Sequence, residues 1–208
     1  LHNGLKFSPY YSIDRYLEKN PQFQNIGKLA IIFSLFKFEA YKNFFEFDFK
    51  ANWYRFVVNK LLEETNSVND LINNKFKIIT FNYDRSFEAY LISSLQSAYS
   101  ISTTEAEKQA QNIEIIHVHG KLADLPGEYN SSKVYKYGTY PYTGMEMLEL
   151  IKNIKIITEA DKQVEEFEKA KFILNESKYI YFLGFGYDRI NLHRLGFNKL
   201  SYSYKRIM

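Results

Sequence analysis

The chain contains no cysteine, which removes disulfides, thiolate catalysis and cysteine-based zinc sites together. A cysteine-free sequence fits a reducing compartment. An excess of charge of one sign is lacking too. Lys and Arg total 27 against 24 Asp and Glu, a net of +3, and the two signs are interleaved without a long basic run. No electrostatic stripe for a phosphate backbone follows, so we expect no nucleic-acid partner; the basic close Tyr204-Lys205-Arg206 reads as a solvated tail. Long apolar runs are missing: none approaches the roughly 20 residues that cross a bilayer, and the start shows no charged region followed by an apolar stretch, as a signal peptide would. We therefore expect a cytoplasmic protein without a membrane partner. The chain opens on Leu1 rather than Met, which leads us to expect incompleteness at the N-terminus. The short polar ending 201–208 suggests the same at the C-terminus.

What is present is aromatic. The 208 residues hold 18 Tyr and 18 Phe beside a single Trp, and 46% of the chain is hydrophobic. That is ample for a packed core, and Tyr buries its ring while keeping a polar tip wet. We expect one domain over 1–208, with a helical subregion over 10–65 and an α/β core over 76–197.

Periodicity divides the chain accordingly. Ser12 is placed to cap a short helix through Tyr16 and Leu17, ended at Asn20-Pro21. Over 24–40 the apolar residues, among them Ile26, Leu29, Ile32, Phe33, Phe36 and Phe38, nearly encircle a helix, which predicts a buried one. Phe45, Phe47 and Phe49 alternate with polar residues and predict a brief strand or extended entry. Trp53, Phe56, Val57 and Leu61 return to helical spacing. The second half carries short apolar, β-branched runs at 76–81, 113–118 and 179–183, with weaker strand candidates at 134–137 and 154–157. Helical patterns lie between them at 87–95, 145–151 and 160–174. Strands alternating with helices predict βαβ units in a parallel sheet. Leu125-Pro126-Gly127 and Asn130-Ser131-Ser132 read as loops, and no internal repeat or low-complexity tract interrupts the pattern.

In open α/β sheets, ligands bind outside the carboxyl ends of the strands, so polar residues directly after a strand carry most weight. Thr80-Phe81-Asn82-Tyr83-Asp84 is one such cluster. Asn82 offers a donor and an acceptor there, and Asp84 a carboxylate; Asp84 could equally cap the following helix. A second is His117-Val118-His119-Gly120. Strand alternation places His117 and His119 on one face with Ile115. A His before Gly at a strand end suits a general base, its unperturbed pKa being about 6.5; a structural histidine bonded to a loop carbonyl is the other reading. An H-x-H pair is half of a metal site that needs three or four ligands. His2 and His193 fall in no ligand spacing, so no metal is expected. The third is Gly184-Phe185-Gly186-Tyr187-Asp188, where glycines at a strand-to-helix turn let backbone amides approach a phosphate or ribose. Arg189 stands where the dinucleotide fingerprint wants its third glycine, so the dehydrogenase motif fails and a tight turn is the plain alternative.

Together these clusters resemble the sirtuin superfamily, specifically the bacterial sirtuin-like domains of NAD-depleting antiphage systems such as Thoeris. Thr80, Asn82, Tyr83 and Asp84 match a T-x-N-[YI]-D segment, His119 and Gly120 a His-Gly strand end, and Gly184, Phe185 and Gly186 a glycine-containing turn. The segment from Ser12-Ile13-Asp14 to Glu39 looks like the helical part of these proteins. The resemblance implies a Rossmann-like parallel sheet flanked by helices, with a helical N-terminal insertion. It also implies an NAD glycohydrolase that releases nicotinamide, with NAD as substrate. Asn82 would orient the nicotinamide ribose and the attacking water, His119 would act as general base, and Asp84 would hold the loop or bind nicotinamide. Thr80, Phe81, Gly120, Gly184, Phe185, Gly186 and Asp188 would frame the cofactor.

The sequence departs from the family in three respects. Nothing before Ser12 resembles the first strand and its G-A-G-x-S loop. The four-cysteine zinc module of deacetylases is excluded. Phe81 replaces the Gln that precedes the Asn in deacetylases, and these last two departures favour NAD hydrolysis over deacetylation. A non-catalytic module that binds NAD or ADP-ribose, and a metal-dependent phosphoesterase built on the H-x-H pair, are the competing expectations. A homo-oligomer or a fused sensor or effector domain would suit a defence role.

Overall fold

The computed structural model describes residues 2–10, 13–46, 52–128, 134–141, 143–156, 164–187, 189–197 and 206–207. In chain order its elements are α1 (His2–Lys6), α2 (Ile13–Lys19), α3 (Gln24–Phe38), α4 (Asn43–Glu46), α5 (Trp53–Leu62), β1 (Lys77–Thr80), α6 (Ser86–Tyr99), α7 (Thr103–Ala110), β2 (Glu114–His117), α8 (Gly144–Leu150), α9 (Val164–Glu176), β3 (Tyr179–Ile180), α10 (Arg189–Arg194) and β4 (Arg206–Ile207). The architecture is α/β and mostly helical, around a small parallel sheet.

β1 and β2 run parallel, with Lys77 opposite Glu114 and Thr80 opposite His117. A parallel pair needs a crossover, and α6 with α7 supplies it. The β-branched run of each strand serves both faces by simple alternation. Ile78 and Ile115 pack with Leu91 and Leu95 of α6 and with Val57, Val58 and Leu61 of α5. Ile79 and Ile116 point the other way, onto Phe167, Ala170 and Leu174 of α9. The sheet is thus covered by helices on both sides, which is why its strands read as continuous apolar runs.

Local chemistry explains where the helices begin. Asn52 accepts from the N–H groups of Tyr54 and Arg55 to cap α5, Ser102 caps α7 through Glu105, and Thr143 with Glu146 forms a capping box on α8.

Several expectations are corrected here. The alternating phenylalanines do not make a strand at their start: Phe45 lies in α4, where Phe44 stacks on Tyr137 at 5.3 Å and meets Tyr90 edge-on at 5.6 Å, so aromatic burial overrides the two-residue pattern. Phe47 and Phe49 lie outside the described residues, as do Ser12, the loop at 130–132, the stretch 160–163 and Asp188. α3 is not enclosed: Ile32 and Phe36 are buried, but Ile26, Phe33 and Phe38 are more than half exposed. Only one stripe of that helix meets neighbours, whatever the opposite face carries. Val134 makes an isolated bridge to Asp124 in place of a strand, and no strand forms over 154–156 among the described residues. The run at 179–183 yields two paired residues, and their partner is β4, in the segment that reads as a solvated tail. β3 and β4 form a sheet separate from β1 and β2 among the described residues. α7, unforeseen, buries only Ala106 and Gln109, too little for its polar sequence to show a hydrophobic period; α10 starts directly after the glycine turn that reads as strand-to-helix. No described helix is long and apolar enough to cross a membrane.

Candidate functional site

The loop between β1 and α6 is tied down residue by residue, partly by local turns and partly by contacts to distant elements. The Phe81 ring lies 5.6 Å from the His119 ring and 5.1 Å from that of Phe185. The Asn82 N–H donates to Thr80 Oγ1 at 3.1 Å, and its carbonyl accepts from His117 Nδ1 at 2.8 Å. Its side chain is exposed. The Tyr83 carbonyl accepts from the Leu122 N–H at 2.8 Å, while its hydroxyl reaches the Lys155 carbonyl at 2.9 Å and the Asp14 carboxylate of α2 at 3.4 Å. Burial raises the Asp14 carboxyl above its ordinary range, partly offset by that hydroxyl. Asp84 Oδ1 accepts from the Ser86 N–H at 3.1 Å, closing an Asx turn at the head of α6. Asp84 thus braces the turn that leads into α6, whose N-cap is Arg85 and carries no side-chain cap. Arg85, next in line, is wholly buried against Glu39.

The two histidines part company. His117, the last residue of β2, follows Ile115 toward α6, where its Nε2 meets Glu88 Oε1 at 2.7 Å. His119 lies past the strand, in a turn completed by Gly120 at φ +87°. Its ring packs 5.7 Å from Phe167 of α9, on the opposite layer. The shared face expected from alternation fails because the strand ends at His117, and a period of two has no meaning beyond it. The H-x-H pair is split accordingly, and no group of three or more potential ligands that could hold a metal occurs among the described residues.

His117 faces two acceptors, the Asn82 carbonyl and the Glu88 carboxylate. A carbonyl only accepts, so Nδ1 carries a proton, and an ionised Glu88 draws a second proton onto Nε2. Burial opposes charge on both partners, yet each is outweighed by the other. Glu88 sits below its ordinary 4.5 because the imidazolium faces it, and His117 sits above its ordinary 6.5 because Glu88 and the Asn82 carbonyl hold its protons. The sign of the pH dependence follows. The raised histidine contributes stability that is complete below about pH 6.5 and is lost as pH rises through its folded value; the depressed carboxylate contributes stability that is complete above about pH 4.5 and is lost as pH falls. The thermal midpoint of the wild type relative to Glu88→Gln is expected to be highest between those limits and to decline on both sides. A difference flat from pH 4 to 9 would contradict the charged pair.

The glycine turn is open. Gly184 adopts φ +60°, where side chains are disfavoured, and a Cβ added at Gly184 or Gly186 would meet no atom of the described residues within 4 Å. Between them Phe185 stacks with Phe182 at 5.4 Å and reaches Phe81. The loop after β1, the turn after β2 and the Gly184–Gly186 turn therefore meet through the rings of Phe81, His119 and Phe185. A separate cleft of about 460 Å³, lined by Tyr41, Glu107, Lys136 and Tyr137 among others, contains none of these residues.

Sequence reasoning missed Glu88, Arg85 and Glu39. A charged residue beside the apolar stripe of α6 reads as a solvated flank unless its distant partner is known. Compared with protein-family models, with curated proteins and with solved structures, the chain finds no match in any of the three.

Proposed function

We propose that this chain is a sirtuin-like domain with a pared-down Rossmann-like core that binds NAD and hydrolyses it to nicotinamide and ADP-ribose, as a bacterial antiphage NADase would. One observation carries the reading. The loop after β1, the turn after β2 and the Gly184–Gly186 turn, three segments far apart in sequence, meet at the contacts Phe81–His119 and Phe81–Phe185. In the reaction the bond from ribose C1′ to nicotinamide breaks, water forms the new bond to C1′, and nicotinamide leaves neutral. The exposed Asn82 amide would orient the ribose and the water, and His119 would take the water's proton. Oriented acceptors stabilise the oxocarbenium charge, and a placed general base contributes roughly 10²–10⁴-fold. Thr80, Phe81, Gly120, Phe185 and the two flanking glycines would frame the cofactor, with Asp84 holding the loop. No zinc takes part.

Asn82→Ala and His119→Ala are each expected to abolish nicotinamide release, measured by chromatography, while circular dichroism stays native. Wild-type turnover in both variants would reject the assignment. A second reading is favoured by the burial of His119, which is 5% exposed: a module that binds NAD or ADP-ribose without cleaving it. Calorimetry with both ligands separates the two, since tight binding without nicotinamide release would select the binding module.

A further inference from the structure

Both backbone polar groups of Asn82 are held by side chains, the N–H by Thr80 and the carbonyl by His117, and His117 is itself gripped by Glu88 from α6. The Asn82 side chain projects to the surface from this fixed backbone. We infer that His117 is a positioning residue, its imidazolium clamped between Glu88 and the Asn82 carbonyl so that the Asn82 amide is presented at the mouth of the sheet in one orientation. The consequence for catalysis rests on the NAD-hydrolysing reading above; the clamp itself does not.

The argument for the clamp is one of hydrogen-bond accounting. With both ring nitrogens protonated, both acceptors are satisfied. Neutral His117 keeps one proton, so either the Asn82 carbonyl or the Glu88 carboxylate faces a lone pair, and a buried acceptor left in that state costs about 1–3 kcal/mol. Loss of the second proton therefore loosens the loop. Among the described residues the charged groups acting on His117 are Glu88 and Lys121. Lys121 is itself neutralised by Asp124 at 2.8 Å and Glu128 at 2.6 Å. Glu88→Gln changes the logic without removing the contact: a Gln amide donates to Nε2, so a neutral imidazole keeps its Nδ1 proton on the Asn82 carbonyl at every pH.

The test is nuclear magnetic resonance of the full chain, labelled with ¹⁵N, between pH 5 and 9, with nicotinamide release followed in parallel. In the wild type both His117 nitrogens are expected to be protonated near neutral pH. The Asn82 backbone and side-chain signals should shift together as His117 loses a proton on the alkaline side. In Glu88→Gln the Asn82 signals should stay put over the same range, and in His117→Phe they should be displaced at all pH values. The rate of nicotinamide release should show the same alkaline fall in the wild type and lose it in Glu88→Gln. In His117→Phe, kcat should drop by up to about 10²-fold, as expected of a misplaced group, with KM little changed. Asn82 signals indifferent to His117 protonation, or kcat unaltered in His117→Phe, would overturn the clamp as a positioning device. Asn82 signals that follow His117 in a chain releasing no nicotinamide would uphold the clamp and remove only the NAD-hydrolysing reading.

Discussion

Replacing Arg85 with methionine is expected to remove about 3–5 kcal/mol of stability, the cost of leaving one member of a buried ion pair alone. The Arg85 and Glu39 side chains are 0% and 1% exposed. The guanidinium binds both Glu39 oxygens through Nε at 3.2 Å, and Nη1 donates to the Tyr135 carbonyl at 2.6 Å and the Asp124 carbonyl at 3.3 Å. The Arg85 N–H adds a bond to Glu39 Oε1 at 2.8 Å, and its side chain lies over the Phe36 ring. One side chain thus joins the end of α3, the start of α6, Asp124 and Tyr135. Without it, a carboxylate and two carbonyls stay buried with fewer partners. Arg85→Lys should not rescue, because a point charge cannot reproduce the planar fork. A Glu39→Met, Arg85→Met double variant should recover much of the loss, since matched apolar replacement of a buried pair is often neutral. Urea unfolding of the wild type, Arg85→Met, Glu39→Met and the double variant completes the cycle; a single variant within about 1 kcal/mol of wild type would show that the pair contributes little.

Gly120→Ala is expected to be nearly as damaging, for reasons of shape alone. Gly120 adopts φ +87°, and a Cβ built on it would lie well under 3.0 Å from the carbonyl oxygen of Asn153. The obstacle is backbone, in a segment held close by the Lys155 N–H to His119 carbonyl bond at 2.9 Å. A left-handed conformation forced on a side chain costs about 1–3 kcal/mol, and the collision adds to it. For a chain of this size each kcal/mol moves the midpoint by roughly 2–4 °C, so a fall on the order of 10 °C should appear in a thermal melt. An unchanged midpoint would mean that the 119–120 turn does not lie against 153–155. Because Gly120 follows His119, the proposed NAD cleavage should fall with it.

The sheet was legible in part because its signals are local. The runs at 76–81 and 113–118 became β1 and β2, whose central isoleucines are covered by neighbours on both faces. α5, α6 and α8 followed from spacing. The exposed face of α3 was not legible: Ile26 and Phe33 share the composition of Ile32 and Phe36, and nothing in a single helix says which side meets a partner. The candidate site divides the same way. Asn82 and His119 stood out by their position after strands, whereas Glu88 reads as one more charge on an amphipathic helix until His117 is brought to it.

By itself, then, the sequence determined the strand runs at 76–81 and 113–118, the helices α2, α3, α5, α6, α8 and α9, the cysteine-free chemistry and the residue types available at those strand ends, since these depend on neighbours within a few positions. Tertiary structure alone decided that His117 turns to Glu88 while His119 turns to Phe167, that Arg85 is buried on Glu39, and that Phe81 joins two distant turns. A buried polar group takes whatever partner the packing brings within about 3 Å, and that partner sits tens of residues away, where no local period can announce it.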